Sequence, residues 1–593
     1  MVLNVPPSAE TQSPLSNLLT LVAKEHLGEV PAIIISTLIS HGRLTAKEIS
    51  RRSKVPIKLV KTTLVSLIQL NCMLYWVDKD KVEYQFQDTG LFVFLHSGEI
   101  ITHIKNKYDE ECCEIIQNLI QLGNIKVSDY LKSFDDETRY SRSLKLSQLF
   151  GDGWIKILQP HDFNPLEDVW NKIYHETTKN VPRSATLSEV KRVAEIKELS
   201  KEKLSHLLEN LPKDLYTTVD GMKGLNPKLS IGFNFKRFEK FLRSKALIAL
   251  CESRVGRLSA EVYKVVLEIL EKQSPDPKPY INEIDGIINT PEEKQSIFEQ
   301  IENKLIDNKS LTAKIHDIVK KLPQTIDLNN SILTHNFVKP ATIKKRVVSF
   351  SEIERTIKKP KIKMEDNEAI IEMDEDDNDY HTPTNGDGNT NLVIQHLKLL
   401  AFSTKIPFIM EIGNGSFTVP YNKLNDIVKE YTYDELIKKS LGVDSLRILR
   451  CIRSLKLVDE KTVSNSVLLK EKVVRNEIYK LIQLNVIEIQ EIPRSNDRAA
   501  SKTFFAFRYK NHSNYQFLRN SLIHNISSIL HNIEDFKFQH KSLLEKCQRE
   551  DVKGNEQELL LESELRILNQ LQSREINNIG KLNRLLSLLE IFN

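Results

Sequence analysis

No stretch of this 593-residue chain approaches the roughly 18 uninterrupted apolar residues that a membrane span requires. The polar, Pro- and Ser-containing N-terminus lacks the apolar core of a secretion signal. A soluble, intracellular protein is expected. Cysteine is sparse: Cys72, Cys112, Cys113, Cys251, Cys451 and Cys547 are scattered without CxxC spacing, which opposes a disulfide framework and a structural zinc site alike. An excess of one charge is missing too. A net +4 is small at this length, so any basic surface has to be local. The chain also has no Walker loop, no HExxH, no GxSxG and no GxGxxG, the patterns that place phosphates, metals and nucleophiles. The acidic run Asp374 to Asp377 makes a poor magnesium site, because a metal needs carboxylates held in fixed geometry. No catalytic residue, metal or cofactor is expected of this chain.

What is present is a repeat. Lys58-Leu59-Val60-Lys61 leads to Leu64 and then Leu67-Ile68-Gln69-Leu70-Asn71; Lys472-Val473-Val474-Arg475 leads to Ile478 and then Leu481-Ile482-Gln483-Leu484-Asn485. Apolar residues recur at helical spacing, with basic residues on the opposite face. A short helical pattern precedes each copy and an alternating, strand-like one follows. Helix, turn, helix, then hairpin is the order of a winged helix. A module repeated at this distance points to a multi-domain reader or adaptor more than to one catalytic pocket. With 40% hydrophobic and 28% charged residues the chain can bury several cores, and three to five domains are expected.

After a flexible tail over residues 1–14, the first winged helix is expected over residues 15–105. Helices span Asn17 to His26 and Pro31 to Ser40, Thr45 and Glu48 form a capping box, and Pro56 opens the third helix. The wing strands are Met73 to Val77 and Val82 to Phe86. A second, less regular unit spans 106–175, with Gly151-Asp152-Gly153 turning into the strand Trp154 to Leu158. A helical connector follows over 176–235. The third unit spans 236–440. Its last helix (Leu392 to Phe402) and its wing, hinged on Gly413-Asn414-Gly415, are separated from the earlier helices by an insertion at 339–390. That insertion sets Lys344, Lys345, Arg346, Lys358, Lys359, Lys361 and Lys363 against acidic residues, a composition expected to stay disordered. The fourth unit spans 441–511, with wing strands Val486 to Ile492 and Thr503 to Tyr509. The tail, 512–593, alternates apolar residues by three and four on either side of a polar stretch, which reads as an antiparallel coiled coil. The fold class is therefore mainly α with small β wings: four tandem winged helices and a C-terminal coiled coil.

In winged helices the third helix enters the major groove and the wing touches the backbone. The corresponding candidates are Lys58 and Lys61; Arg139, Arg142 and Lys145; Lys472 and Arg475; and, in the basic wing loop, Arg494, Arg498 and Lys502. No Arg/Asn/Gln cluster marks base readout, so such lysines and arginines give backbone affinity without sequence choice. An ordinary solvated face is the alternative, and Leu59 and Val473 beside the cations favour a face that meets protein. The candidate partner seam in the tail is Leu522, Ile529, Ile533, Leu565, Leu568, Leu571, Leu582 and Leu589. A stand-alone DNA-binding regulator and a winged-helix scaffold of another complex are the rival readings.

Several segments together resemble one known family. His26-Leu27-Gly28-Glu29, Gly42-Arg43-Leu44 and Val60 through Leu67 are similar to the N-terminus of the winged-helix third subunit of nuclear RNA polymerase III. Arg254-Val255-Gly256 with Ser259-Ala260 matches the middle of that family. Gly413-Asn414-Gly415, Asp459-Glu460-Lys461 with Ser464-Asn465, Glu491-Ile492-Pro493-Arg494 and Ser501 through Phe505 match its C-terminal half. The acidic insertion suggests the fungal branch. The resemblance implies a non-catalytic subunit joined with two smaller subunits in a detachable trimer on the polymerase clamp. It also implies contact with the initiation factor, weak contact with promoter DNA, a role in promoter opening at tRNA and 5S rRNA genes, and a nuclear location.

Overall fold

The computed structural model describes residues 13–592, apart from 80, 182–188, 213, 220–221, 285–286, 289, 324–325, 330, 333–386, 403–405, 414, 494–502, 550–551, 553 and 555–558. Most of the insertion at 339–390, most of the N-terminal tail and the loop carrying Arg494, Arg498 and Lys502 lie outside the described residues. The chain is mainly helical with small sheets, and divides into two compact units: Met1–Leu250 with Leu270–Leu311 and Pro420–Asn593, and Cys251–Ile269 with Thr312–Val419.

In the first unit, the N-terminal module runs Pro14–Leu27, Glu29–His41, the short strand Leu44–Thr45, Ala46–Ser53, Ile57–Gln69 and the ribbon Met73–Asp78 with Lys81–Phe86. The expected capping box is present: the Thr45 hydroxyl accepts from the Glu48 amide, and the Glu48 carboxylate accepts from the Thr45 amide. The module near the C-terminus repeats the order as Tyr421–Leu441, Val443–Leu455, Leu457–Val458, Glu460–Val467, Glu471–Gln483 and the ribbon Ile487–Pro493 with Thr503–Tyr509. In both sheets the last strand lies between the short first strand and the middle strand.

The repeated Leu-Ile-Gln-Leu-Asn has a backbone cause. Asn71 and Asn485 take left-handed φ values of 55° and 59°. Their amides donate to Ile68 and Ile482, while the Cys72 and Val486 amides donate to Leu67 and Leu481. This is the Schellman way of ending a helix, in which Asn tolerates the left-handed position. The leucines that accept these bonds, Leu67 and Leu481, are also core residues. The same ending recurs after Asp136–Gly151, where Gly153 has φ 83° and the Trp154 amide donates to Leu149. The correspondence also reaches upstream of the repeat. Leu27-Gly28 and Leu441-Gly442 each join two helices through a glycine, with φ of 95° and 107°.

The module between them contains Glu110–Leu122, Ile125–Lys126, Val127–Leu131, Asp136–Gly151 and Ile155–Ile157. Its sheet is completed by Ser230–Phe233, which lies between the other two strands. The stretch expected as connector thus sits largely inside the ribbon of the second module. The helix Leu166–Asn180 runs into it from the second unit's expected range, and Glu189–Glu209 and the hairpin Tyr216–Val219 with Met222–Leu225 follow. The two helices pack with Ile281, Ile284 and Ile287 in a core of their own. First and second modules join at the repeat motif itself: the Asn124 amide donates to Gln69 O at 2.8 Å, and the side chains of Asn71 and Asn124 bond each other. Gly123, with φ 73°, sits there because a Cβ would lie 2.3 Å from Gln69 O.

The tail forms the long helices Asn511–Gln539 and Glu562–Phe592, with the short Lys541–Cys547 between. They run antiparallel, since Tyr515 meets Phe592 at one end and Lys546 bonds Glu564 at the other. Their base is not separate from the modules. Leu18 and Val22 of the first helix, Ile34, Leu449, Ile478, Leu522, Leu585 and Leu589 belong to one continuous core. The two ends of the chain therefore fold together, and Lys24 bonds Glu534 at 2.5 Å across this junction.

In the second unit, Ala313–Lys314, Met410–Gly413 and Ser416–Thr418 form another three-stranded sheet with the last strand central. Ile315–Lys321 and Asp387–Phe402 accompany it. Buried His396 on the latter helix bonds Ser259 and Ser331 through its two ring nitrogens.

Candidate nucleic-acid and partner interface

The N-terminal module holds its third helix by burying Val60, Thr63, Leu64 and Leu67. Burying that face turns Lys58 and Lys61 outward. Four further cations stand with them: Lys47, Arg51, Arg52 and Lys54. All six side chains are exposed, and none makes an ion pair among the described residues. The acidic group in their midst, Glu48, is committed to the cap, accepting at 2.9 Å from the Thr45 amide. Hydrogen bonds from Thr45 lower its pKa, so it stays ionised there. Lys47, Arg51, Arg52 and Lys54 were not singled out from the sequence, although six cations against one acid between residues 47 and 61 was a readable signal.

The C-terminal module presents the equivalent helix with a different charge balance. Lys472 is exposed, but Arg475 pairs with Glu460 at 2.8 Å and Lys480 pairs with Glu477 at 2.6 Å. Its exposed surface adds apolar side chains, Val473, Tyr479 and Leu468, and the ribbon exposes Ile489, Ile492, Phe504 and Phe505. This face is nearly compensated and partly apolar, which suits protein contact. The N-terminal face is basic, with Ile57, Leu59 and Val65 exposed on its third helix.

The second module's candidates are engaged within the chain. Arg139 donates to the carbonyls of Leu131 and Phe134. Arg142 bonds Glu114 at 2.5 Å and lies over the Phe134 ring. Lys145 bonds Asp109. These cations hold the third helix of their module to its first helix and to the turn before it.

The seam candidates also lie mostly inside the chain. Leu522, Leu568, Leu571 and Leu589 are buried. Ile529 and Leu582 are half-buried against the shared core, Leu565 is half-buried against Leu568 and its neighbours, and Ile533 is half-buried. Phe538, Ile576 and Ile579 stay exposed on the same hairpin. Among the described residues no group of three His, Cys, Asp or Glu side chains could hold a metal, and no helix is long and apolar enough to cross a membrane.

The chain is similar to known proteins over four stretches. Residues 144–428 match the family model described as RNA polymerase III subunit RPC82, and residues 17–78 match the helix-turn-helix domain of that subunit. Residues 433–509 match the POLR3C C-terminal winged-helix domain, and 542–593 the helical hairpin domain of DNA-directed RNA polymerase III subunit RPC3. The chain is 52% identical to the DNA-directed RNA polymerase III subunit RPC3 of Debaryomyces hansenii and 51% identical to that of Scheffersomyces stipitis, in each case over 99% of both chains. It is 36% identical to that of Saccharomyces cerevisiae, over 96% of this chain and 92% of the relative.

Proposed function

We propose a role that starts from a plain premise: the chain belongs to the RPC3 subunit family of DNA-directed RNA polymerase III, in its fungal branch. Its partners are other polymerase subunits, and its place of work is the nucleus. The chain is itself non-catalytic, and the polymerising site belongs to other subunits. The four helix-and-ribbon modules act as winged helices and the tail as a coiled coil. The chain forms a detachable trimer with two smaller subunits on the clamp, meets the initiation factor, and helps open promoter DNA at tRNA and 5S rRNA genes.

The observation that carries the reading is end-to-end identity with subunits bearing that name. The charge distribution supports a division of labour. The N-terminal module's uncompensated cations suit DNA backbone, while the C-terminal module's compensated, partly apolar face suits protein. If all six cations met phosphates, the slope of log affinity against log salt would be about −5, with little sequence preference. The seam residues stabilise the chain's own hairpin, so docking of the tail falls to Phe538, Ile576 and Ile579. Affinity purification of the tagged chain tests the reading. Recovery of the largest polymerase subunits is expected, and recovery without them would overturn it.

A further inference from the structure

The first unit encloses a cavity of about 260 Å³ whose walls come from three separate helices. Phe235–Arg254 supplies Leu242, Ala246 and Leu247; Tyr421–Leu441 supplies Val428 and Lys429; Glu562–Phe592 supplies Ser587, Glu590 and Ile591. The volume lies below the roughly 300–1,000 Å³ typical of small-molecule sites, and suits one or two side chains better than a cofactor. The walls are mainly apolar, so the occupant's body has to be apolar.

The charges at the rim decide the rest. Glu590 is bonded to His96 at 3.0 Å, Lys245 to Glu99 at 2.6 Å, and Lys278 lies 3.8 Å from Glu239. Arg243 is spent on Pro275 O and Ser274 Oγ and lies over the Tyr421 ring. Lys429 remains. It makes no ion pair within 4 Å among the described residues; the Asp426 charge one turn back acts on it only at longer range, and burial holds its pKa below the usual lysine value. Burial also pushes Glu239 up to about 7, so that carboxyl is only partly ionised near neutral pH. An exposed lysine is satisfied by water, whereas a half-buried one in an apolar wall gains from a carboxylate brought to it.

We propose that this cavity receives an apolar side chain flanked by an acidic residue from a partner protein, the apolar group filling the space between Leu242, Ala246 and Val428 and the carboxylate pairing with Lys429. The proposal rests on the chain working as a subunit. Its test uses the full chain in the complex that forms in cells, with a photoreactive benzoylphenylalanine at exposed Ser587 on the rim. After irradiation, mass spectrometry identifies the crosslinked peptide. A segment with an apolar residue beside Asp or Glu is expected. Lys429→Glu should lower that crosslink at least tenfold, and Lys429→Arg should keep it. A crosslink to a basic segment or to nucleic acid would overturn the proposal, as would a crosslink indifferent to Lys429→Glu. If polymerase subunits are recovered but Ser587 captures nothing, this proposal alone falls. If no subunits are recovered, the subunit reading falls with it.

Discussion

His96 follows the N-terminal ribbon and Glu590 lies near the chain's last residue, yet their side chains meet at 3.0 Å with His96 fully enclosed. Burial alone would push the imidazole pKa down. A hydrogen bond to Glu590, with the charges of Glu590 and of Glu99, which stands 3.9 Å from the other ring nitrogen, outweighs it and raises the value from 6.5 to about 9. The rings of Phe235 and Phe238 complete the surroundings, and Lys245 reaches the site only through Glu99. A group that gains proton affinity on folding stabilises the fold fully below its unfolded pKa and ceases to do so as pH rises through the folded one. The window here is from about pH 6.5 to 9. The rise corresponds to roughly 3 kcal/mol at the low-pH end, at about 1.4 kcal/mol per tenfold change in proton affinity.

Glu590→Gln keeps the size of the side chain and removes its charge. Glu99 still faces the ring at 3.9 Å, with its own pKa lowered to about 2, chiefly by the neighbouring His96. The variant should therefore lose about half of the effect, on the order of 1–2 kcal/mol at pH 6, and almost nothing at pH 9.5. Amide hydrogen exchange in the last turns of Glu562–Phe592, corrected for the intrinsic rate, measures this locally and avoids assuming that a chain of several domains unfolds in one step. Equal destabilisation at both pH values would refute the reasoning, because it would make the interaction one of packing and not of charge.

Three further outcomes follow from the geometry. Asn485→Ala should cost about 1 kcal/mol, since an L side chain is strained at positive φ, whereas Asn485→Gly should stay near wild type; denaturation midpoints that rank the two the other way would remove the helix-ending account of the repeat. Lys58→Glu combined with Lys61→Glu should leave the fold intact and weaken salt-dependent DNA association, whereas Arg142→Ala should lower stability because it breaks internal contacts; thermal unfolding and filter binding read the two effects separately. Leu568→Asp with Leu571→Asp should open the hairpin, as each buried unpaired charge costs several kcal/mol, and recovery of polymerase subunits on the tagged chain should fall; unchanged recovery would show that docking does not need the hairpin.

Sequence reasoning reached the two end modules because each carries the same helix ending, and a left-handed Asn four residues after a buried leucine leaves a mark in the sequence. It also found the strand at Trp154 to Leu158, but not its partner Ser230–Phe233. That strand is short, contains Gly232, and comes after two helices, so neither alternation nor proximity revealed it. The hairpin of Tyr216–Val219 with Met222–Leu225 flanks Asp220-Gly221, a turn signal that the surrounding charged residues mask. For the seam, periodicity marks residues that are buried or half-buried but not what covers them. Leu522, Leu582 and Leu589 repeat by three and four whether they meet a foreign chain or Leu18 and Val22 of the same chain. Periodicity reports a face, and a partner five hundred residues away leaves no trace in it. Engagement of Arg139, Arg142 and Lys145 was hidden for a like reason, since each acceptor lies on a neighbouring element.

The shared core has a consequence for how the exposed faces of the two end modules are presented. Binding through two surfaces at once is more favourable when the spacing between them is fixed beforehand, because a flexible link adds an ordering cost. In this chain the first helix, the C-terminal module and the base of the hairpin bury their leucines and isoleucines together. The third helices Ile57–Gln69 and Glu471–Gln483 are both anchored in that core, through Val60 and Leu64 on one side and Val474 and Ile478 on the other. The basic face and the partly apolar face are thus both built on one buried core. Moving either relative to the other would expose that core, so substitutions at Leu589 or Leu18 should disturb the spacing of the two faces.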